Sequence, residues 1–232
     1  MVRINQVGLG LVCLLMLSVM SPMVVAALEG LAVDGWTFSR RLGDVDIYRQ
    51  PINGSRFPAV RAHARINASA KALYAVISDY EHFRDFIPSV LDSRVLARQM
   101  STLSVYQRLG FPLMVADRHY VIQVTENLDQ AGEGLLRVTW QLDRQQSLSL
   151  TSGSAVVPDA FSGSWRLAEL EEGTATDATY SIHVEPGGRL PAWLLLSASE
   201  RYVFQVIQAV RRRLRGDESG MGGEEYATKK SK

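Results

Sequence analysis

Cysteine is all but missing from this chain of 232 residues: Cys13 is the single thiol, inside an apolar N-terminal stretch. Without a second cysteine no disulfide framework can form. The fold must therefore rest on an apolar core, and at this length one core is feasible. An excess of charge is missing too. Lys and Arg number 25 against 24 Asp and Glu, a balance that argues against nucleic acid as a partner, since phosphate binding needs a concentrated positive field. The four histidines, His63, His82, His119 and His183, show no pair at metal-ligand spacing, so no metal is expected. There is no Gly-x-Ser-x-Gly elbow. Gly132-Glu-Gly134 lacks the third glycine and the following helix of a dinucleotide loop. From these absences we expect no cofactor and assign no catalytic residue.

What is present begins with a leader. Arg3 supplies a positive start, Val7 to Val19 is apolar, Pro22 breaks the run, and Ala26 or Ala27 offers a small-residue cleavage point. That is the pattern of a secretory signal peptide over residues 1–27, implying a periplasmic or secreted protein. The alternative is a retained anchor, because ~20 apolar residues span a bilayer. Cys13 follows Val12 and sits too early for lipidation. Removing the leader takes one arginine and leaves 24 basic against 24 acidic residues. At the other end, residues 216–232 are Gly-rich, charged and poor in large apolar residues, which predicts a disordered tail.

Between these lies a domain over residues 28–215. Val45 to Arg49 and Phe57 to Ile66 alternate as strands, with Arg61 and His63 facing solvent and Asn53-Gly54 as the turn between them. Ser69 is placed to cap a helix over residues 70–80, and a second short helix runs over residues 81–86 into Pro88. Strands are expected over residues 90–97, 102–109, 119–125, 135–142, 147–157, 161–170 and 176–184. The turns between them are short, so the sheet is antiparallel. Pro191 then opens a long amphipathic helix that ends on Arg211, Arg212, Arg213 and Arg215, where the helix dipole favours positive charge. A curved sheet needs one face covered, and this helix is the element long enough to cover it. Wherever the two do not touch, a cavity remains.

The stretch Phe111-Pro-Leu113-Met-Val115-Ala-Asp117-Arg118-His119-Tyr120 stands out. Loops normally run through water, so an apolar one needs an apolar neighbour. It serves as a mobile cover, as a foot dipping into lipid, or as a buried connection. Asp117 and Arg118 have two readings as well. They orient a polar head group, or Asp117 caps backbone N–H groups while Arg118 pairs with a carboxylate across strands. Arg211 to Arg215 is either a solvated helix end or a contact for anionic lipid.

The order of elements resembles the helix-grip fold of START lipid-binding domains, within the SRPBCC superfamily. Trp36 with Val45-Asp-Ile47-Tyr48, Ser78-Asp79 followed by Phe86-Ile87-Pro88, and Asp117-Arg118-His119-Tyr120-Val121 resemble that family's motifs. Pro186-Gly187-Gly188 ahead of the last helix does so too. Phe86 stands where the family commonly has Trp, and His119 replaces an Asp. The resemblance implies an α+β architecture, a curved antiparallel sheet wrapped around a long C-terminal helix, with a cavity between them for a lipid or other hydrophobic small molecule. Candidate ligand-binding residues are Tyr106, Phe111, Leu113, Arg118, Tyr120, Trp140 and Trp165. Other expectations are a monomer, transient membrane contact and no nucleic acid. Two alternatives stay open: an enzyme of the polyketide cyclase or hydrolase type using the same cavity, and a ligand-free module that binds a partner.

Overall fold

The computed structural model describes residues 35–111, 115–128, 134–188 and 192–216. The expected signal peptide over residues 1–27, Leu113 and the expected disordered tail beyond Gly216 lie outside the described residues. Nine strands form one sheet: β1 (Thr37–Leu42), β2 (Val45–Gln50), β3 (Ala59–Ile66), β4 (Val90–Gln99), β5 (Thr102–Leu109), β6 (Arg118–Asn127), β7 (Leu135–Asp143), β8 (Ala160–Leu170) and β9 (Ala175–Glu185). Their order is β1-β2-β3-β9-β8-β7-β6-β5-β4, with every neighbouring pair antiparallel. The helices are α1 (Ala70–Ile77), α2 (Phe83–Phe86), α3 (Arg144–Ser149) and α4 (Ala192–Leu214). This is the α+β helix-grip arrangement that the order of elements implies.

The period-2 pattern decides what α4 packs on. Ala62, Ala64 and Ile66 of β3 are buried, whereas Arg61, His63 and Arg65 point away. Against the buried row lie Val203, Val206, Ile207 and Val210 of α4, spaced by three and four residues and all at most 3% exposed. Burial of a side chain such as Ile207 stabilises the fold by about 1.5–3 kcal/mol.

Local chemistry sets the ends of the smaller elements. Ser69 Oγ accepts from Ala72 N at 3.1 Å, the N-cap expected for α1. The helix stops at Ile77, a one-turn 3-10 segment follows over Tyr80–His82, and α2 ends before Pro88. Asn53-Gly54 does form a turn, with Ser55 N donating to Ile52 O at 3.0 Å, inside a longer loop between β2 and β3.

Two elements differ from the sequence reading. β1 carries no buried residue, so no apolar alternation marks it; the signal is the Gly43-Asp44 link, with Gly43 at φ +59°, a two-residue hairpin turn. The expected strand over residues 147–157 is instead α3 followed by an irregular segment. Asp143 caps α3, its side chain accepting from Gln146 N at 2.8 Å, and the Ser147-Leu148-Ser149 alternation leaves Leu148 61% exposed. What survives of that strand is one parallel bridge, Arg118 with Val156. Ser147 Oγ meanwhile accepts from Val121 N at 2.8 Å, giving β6 a partner where β7 has ended.

Candidate functional site

A cavity of about 570 Å³ opens between the concave face of the sheet and α4. Leu109, Arg118, Tyr120, Phe161, Ile182 and Val184 form its sheet wall. Phe57, Pro58, Pro88 and Phe111 enter from loops, while Ala198, Arg201, Tyr202 and Gln205 come from α4 at positions three and four apart, one helix face. Gly110 sits at the rim because a Cβ there would meet the Leu91 side chain at 3.0 Å. Such a volume and lining fit one small molecule.

The Asp-Arg pair is split by the pleat. Consecutive strand residues point to opposite faces, and Asp117 and Arg118 do so. Asp117 accepts from Arg108 Nη2 at 2.9 Å and from its Nε at 3.3 Å. Arg118 turns to the cavity and, among the described residues, makes no ion pair with a carboxylate across strands. Its guanidinium donates to three carbonyls instead: Pro186 O at 2.6 Å, Gly187 O at 3.2 Å, and Ala116 O. The expected pairing of Arg118 with a carboxylate across strands is thus replaced by carbonyl contacts, because strand alternation puts the two charges on different faces. Burial pushes the Arg118 guanidinium pKa down, and the charge of Asp117 opposes that shift. The ring of Phe111 lies 5.4 Å from the guanidinium, within cation–π range. Gly187 and Gly188, at φ +69° and +73°, let the chain bend past the Arg118 guanidinium.

Tyr120 is buried, and its hydroxyl donates to Gln107 Oε1 at 3.1 Å. Burial, then the neighbouring Tyr202, push its pKa well above the usual value. Its ring meets Phe161 at 4.8 Å. Behind these two lies a smaller void of about 60 Å³, bounded by Trp140, Trp165, Tyr180 and Tyr202. Trp165 stacks on Tyr180 at 4.5 Å and Trp140 on the same ring at 5.9 Å. Gly163 makes room, since a Cβ there would sit 2.3 Å from Trp140 Cζ2. Trp140 Nε1 is buried without a hydrogen-bond partner among the described residues.

Of the residues singled out from sequence, Phe111, Arg118 and Tyr120 therefore line the main cavity, and Trp140 and Trp165 the void behind it. Leu113 lies outside the described residues. Tyr106 is not a wall residue. It pairs with Val121 on the convex face, its hydroxyl 3.0 Å from Ser152 Oγ, while Gln107 takes the inward position. His119 shares that face, 6.2 Å from Tyr106 ring to ring. Burial and then Arg108 lower its pKa. Sequence reasoning missed the α4 residues Ala198, Arg201 and Gln205. The signal was partial, since Ala198 falls in the apolar stripe while Arg201 and Gln205 border it.

A buried carboxylate holds α4 over the cavity. Glu200, 1% exposed, accepts from Ser39 Oγ at 2.6 Å and from Arg49 Nε, and pairs with Arg40. A bulge in β1 between Phe38 and Arg40 turns the consecutive residues Ser39 and Arg40 onto this one group. Among the described residues no cluster of three His, Cys, Asp or Glu is suited to a metal.

Known proteins share this arrangement. A STAR-related lipid transfer protein from Xanthomonas axonopodis superposes with a TM-score of 0.69 at 26% identity, covering 78% of this chain and 99% of that one. Human StAR-related lipid transfer protein 5 gives 0.71 at 12% identity, covering 85% and 99%. An uncharacterised protein of Pseudomonas aeruginosa is 24% identical over 181 residues, which is 78% of this chain and 87% of that one. Residues 66–211 match the family model described as polyketide cyclase / dehydrase and lipid transport. That match spans more than half of a chain with the helix-grip architecture of START domains, and the protein belongs to this family.

Proposed function

We propose that the protein binds one hydrophobic small molecule, a lipid, between sheet and α4, and carries or senses it outside the cytoplasm. The observation that carries this reading is the cavity of about 570 Å³, walled by Leu109, Phe111, Phe161, Ile182 and Val184. Each CH₂ moved there from water gains roughly 0.8 kcal/mol, so an acyl chain or fused-ring body is held without any chemistry being done on it. The family description also includes cyclases and dehydrases. Carriage is favoured because the described lining holds no carboxylate, imidazole or thiol, and burial raises the Tyr120 hydroxyl pKa rather than poising it as a base.

Export rests on the leader pattern of residues 1–27, and N-terminal sequencing of the mature protein tests it. A new N-terminus after Ala26 or Ala27 is expected. No helix among the described residues is long and apolar enough to cross a membrane; contact through the loop that begins at Phe111 is our reading of how ligand enters and leaves, with the protein acting as a monomer.

Native mass spectrometry of the mature protein after incubation with a total bacterial lipid extract tests the binding itself. One adduct per chain is expected, and it is lost in Ala198→Trp, whose indole fills the cavity from the exposed helix face. A clean ligand-free mass in the unmodified protein would overturn the reading.

A further inference from the structure

The charges around the cavity are all of one sign. Its described lining contains Arg118 and Arg201 and neither Asp nor Glu. Arg118 is only 5% exposed, and a buried cation needs compensation. Here it comes from the carbonyl dipoles of Ala116, Pro186 and Gly187. Those three bonds engage three of the five guanidinium N–H groups and leave two. The adjacent carboxylate, Asp117, is turned to Arg108 at 2.9 Å on the other face. Arg201 is exposed at the helix edge of the cavity and has no hydrogen bond or ion pair among the described residues.

Resting on the carrier reading above, we propose that the ligand is an anionic amphiphile, a single-chain carboxylate whose apolar body fills the cavity and whose acid group supplies the charge missing opposite Arg118 and Arg201. One chain is the amount that suits the volume, which lies within the range of roughly 300–1,000 Å³ typical of single small-molecule sites. Phe111, beside Arg118, and Tyr202, one position from Arg201, place apolar surface next to each cation, so head group and chain are accommodated together.

The test compares oleate with methyl oleate, the same chain without the charge, by titration calorimetry on the mature protein at pH 8. Oleate is expected to bind about tenfold more tightly, the worth of one charge-assisted hydrogen bond. Arg201→Gln, which breaks no hydrogen bond or ion pair among the described residues, is expected to cut that preference to about threefold or less, and Arg118→Gln to remove it. Because Arg118→Gln loses three carbonyl bonds and can fail to fold, Arg201→Gln carries the test alone in that case. Equal binding of acid and ester overturns the anionic ligand and leaves the carrier reading standing. A preference unchanged in Arg201→Gln overturns the role of that arginine. If neither oleate nor ester binds and the lipid extract gives no adduct, both readings fall.

Discussion

Glu200 of α4 and Arg49 of β2 form an ion pair that fastens the helix across the first hairpin, although the two residues are 151 positions apart. Glu200 faces the hairpin, while its sequence neighbours Ser199 and Arg201 line the cavity on the other side. The carboxylate that fixes the helix is thus one residue removed from the groups that meet a ligand.

Glu200→Gln is expected to destabilise the protein by about 2 kcal/mol in urea unfolding. The neutral amide keeps the volume but leaves Arg40 and Arg49 without their charge partner. Breaking a fully buried pair costs about 3–5 kcal/mol. The lower figure reflects the partial exposure of both arginines. A change below experimental error would show that Glu200 holds nothing.

The same residue gives a pH signature. Burial raises the Glu200 pKa, but Arg49, Ser39 and Arg40 together outweigh it and hold the group below its ordinary 4.5. A depressed carboxylate contributes stability that is present above the unfolded value and lost as pH falls through the folded one. The Glu200 contribution to the urea midpoint should therefore be lost as pH falls below about 5, and the fall there should be shallower in Glu200→Gln. Asp44, lowered chiefly by Arg211, and Asp46, lowered chiefly by Arg41, titrate in the same window, so the difference between the two proteins is the quantity to read.

Gly163→Ala should be among the most damaging small substitutions. The added methyl would lie 2.3 Å from Trp140 and 2.5 Å from the Ser181 carbonyl, and the latter is backbone that cannot rotate away. A loss of about 1–3 kcal/mol, read as a lower Tm with altered tryptophan fluorescence, is expected. An unchanged Tm would mean that the indole moves freely.

Ser69→Ala removes the hydroxyl that accepts from Ala72 N and should cost about 1 kcal/mol, with ligand binding unaltered. Chemical denaturation together with calorimetry separates those two effects.

Phe111→Asp should slow lipid exchange between vesicles while leaving the urea midpoint within about 0.5 kcal/mol of the parent. An unchanged exchange rate would remove the loop from the entry path.

Much of the architecture was legible because periodicity reports burial directly. The alternation in β3 and the three-four spacing in α4 each describe one face of an element, and those faces meet in the core. What escaped had no such pattern. β1 is an edge strand with no buried side chain, and α3 depends on the Asp143 cap rather than on an apolar stripe. Within the site, the weight given to aromatic strand residues found Tyr120, Trp140 and Trp165 but also drew in Tyr106, which sits one step out of phase with the inward row. The cavity face of α4 was overlooked because Ala198 looks like ordinary core stripe, and Arg201 and Gln205 like ordinary solvent-facing positions, until the helix is set across a concave sheet.

The anchors along α4 are unevenly spaced, and that has a mechanical consequence. Glu200 grips the first hairpin, Arg211 binds Asp44 at 2.8 Å, and Arg213 lies 3.8 Å from Asp79. The helix is a beam clamped along its far two thirds, from Glu200 onward. Glu200 is the first of those clamps, and the cavity-facing Ala198 stands just ahead of it, so a ligand meets the helix at the clamp's edge and not at the packed row from Val203 to Val210.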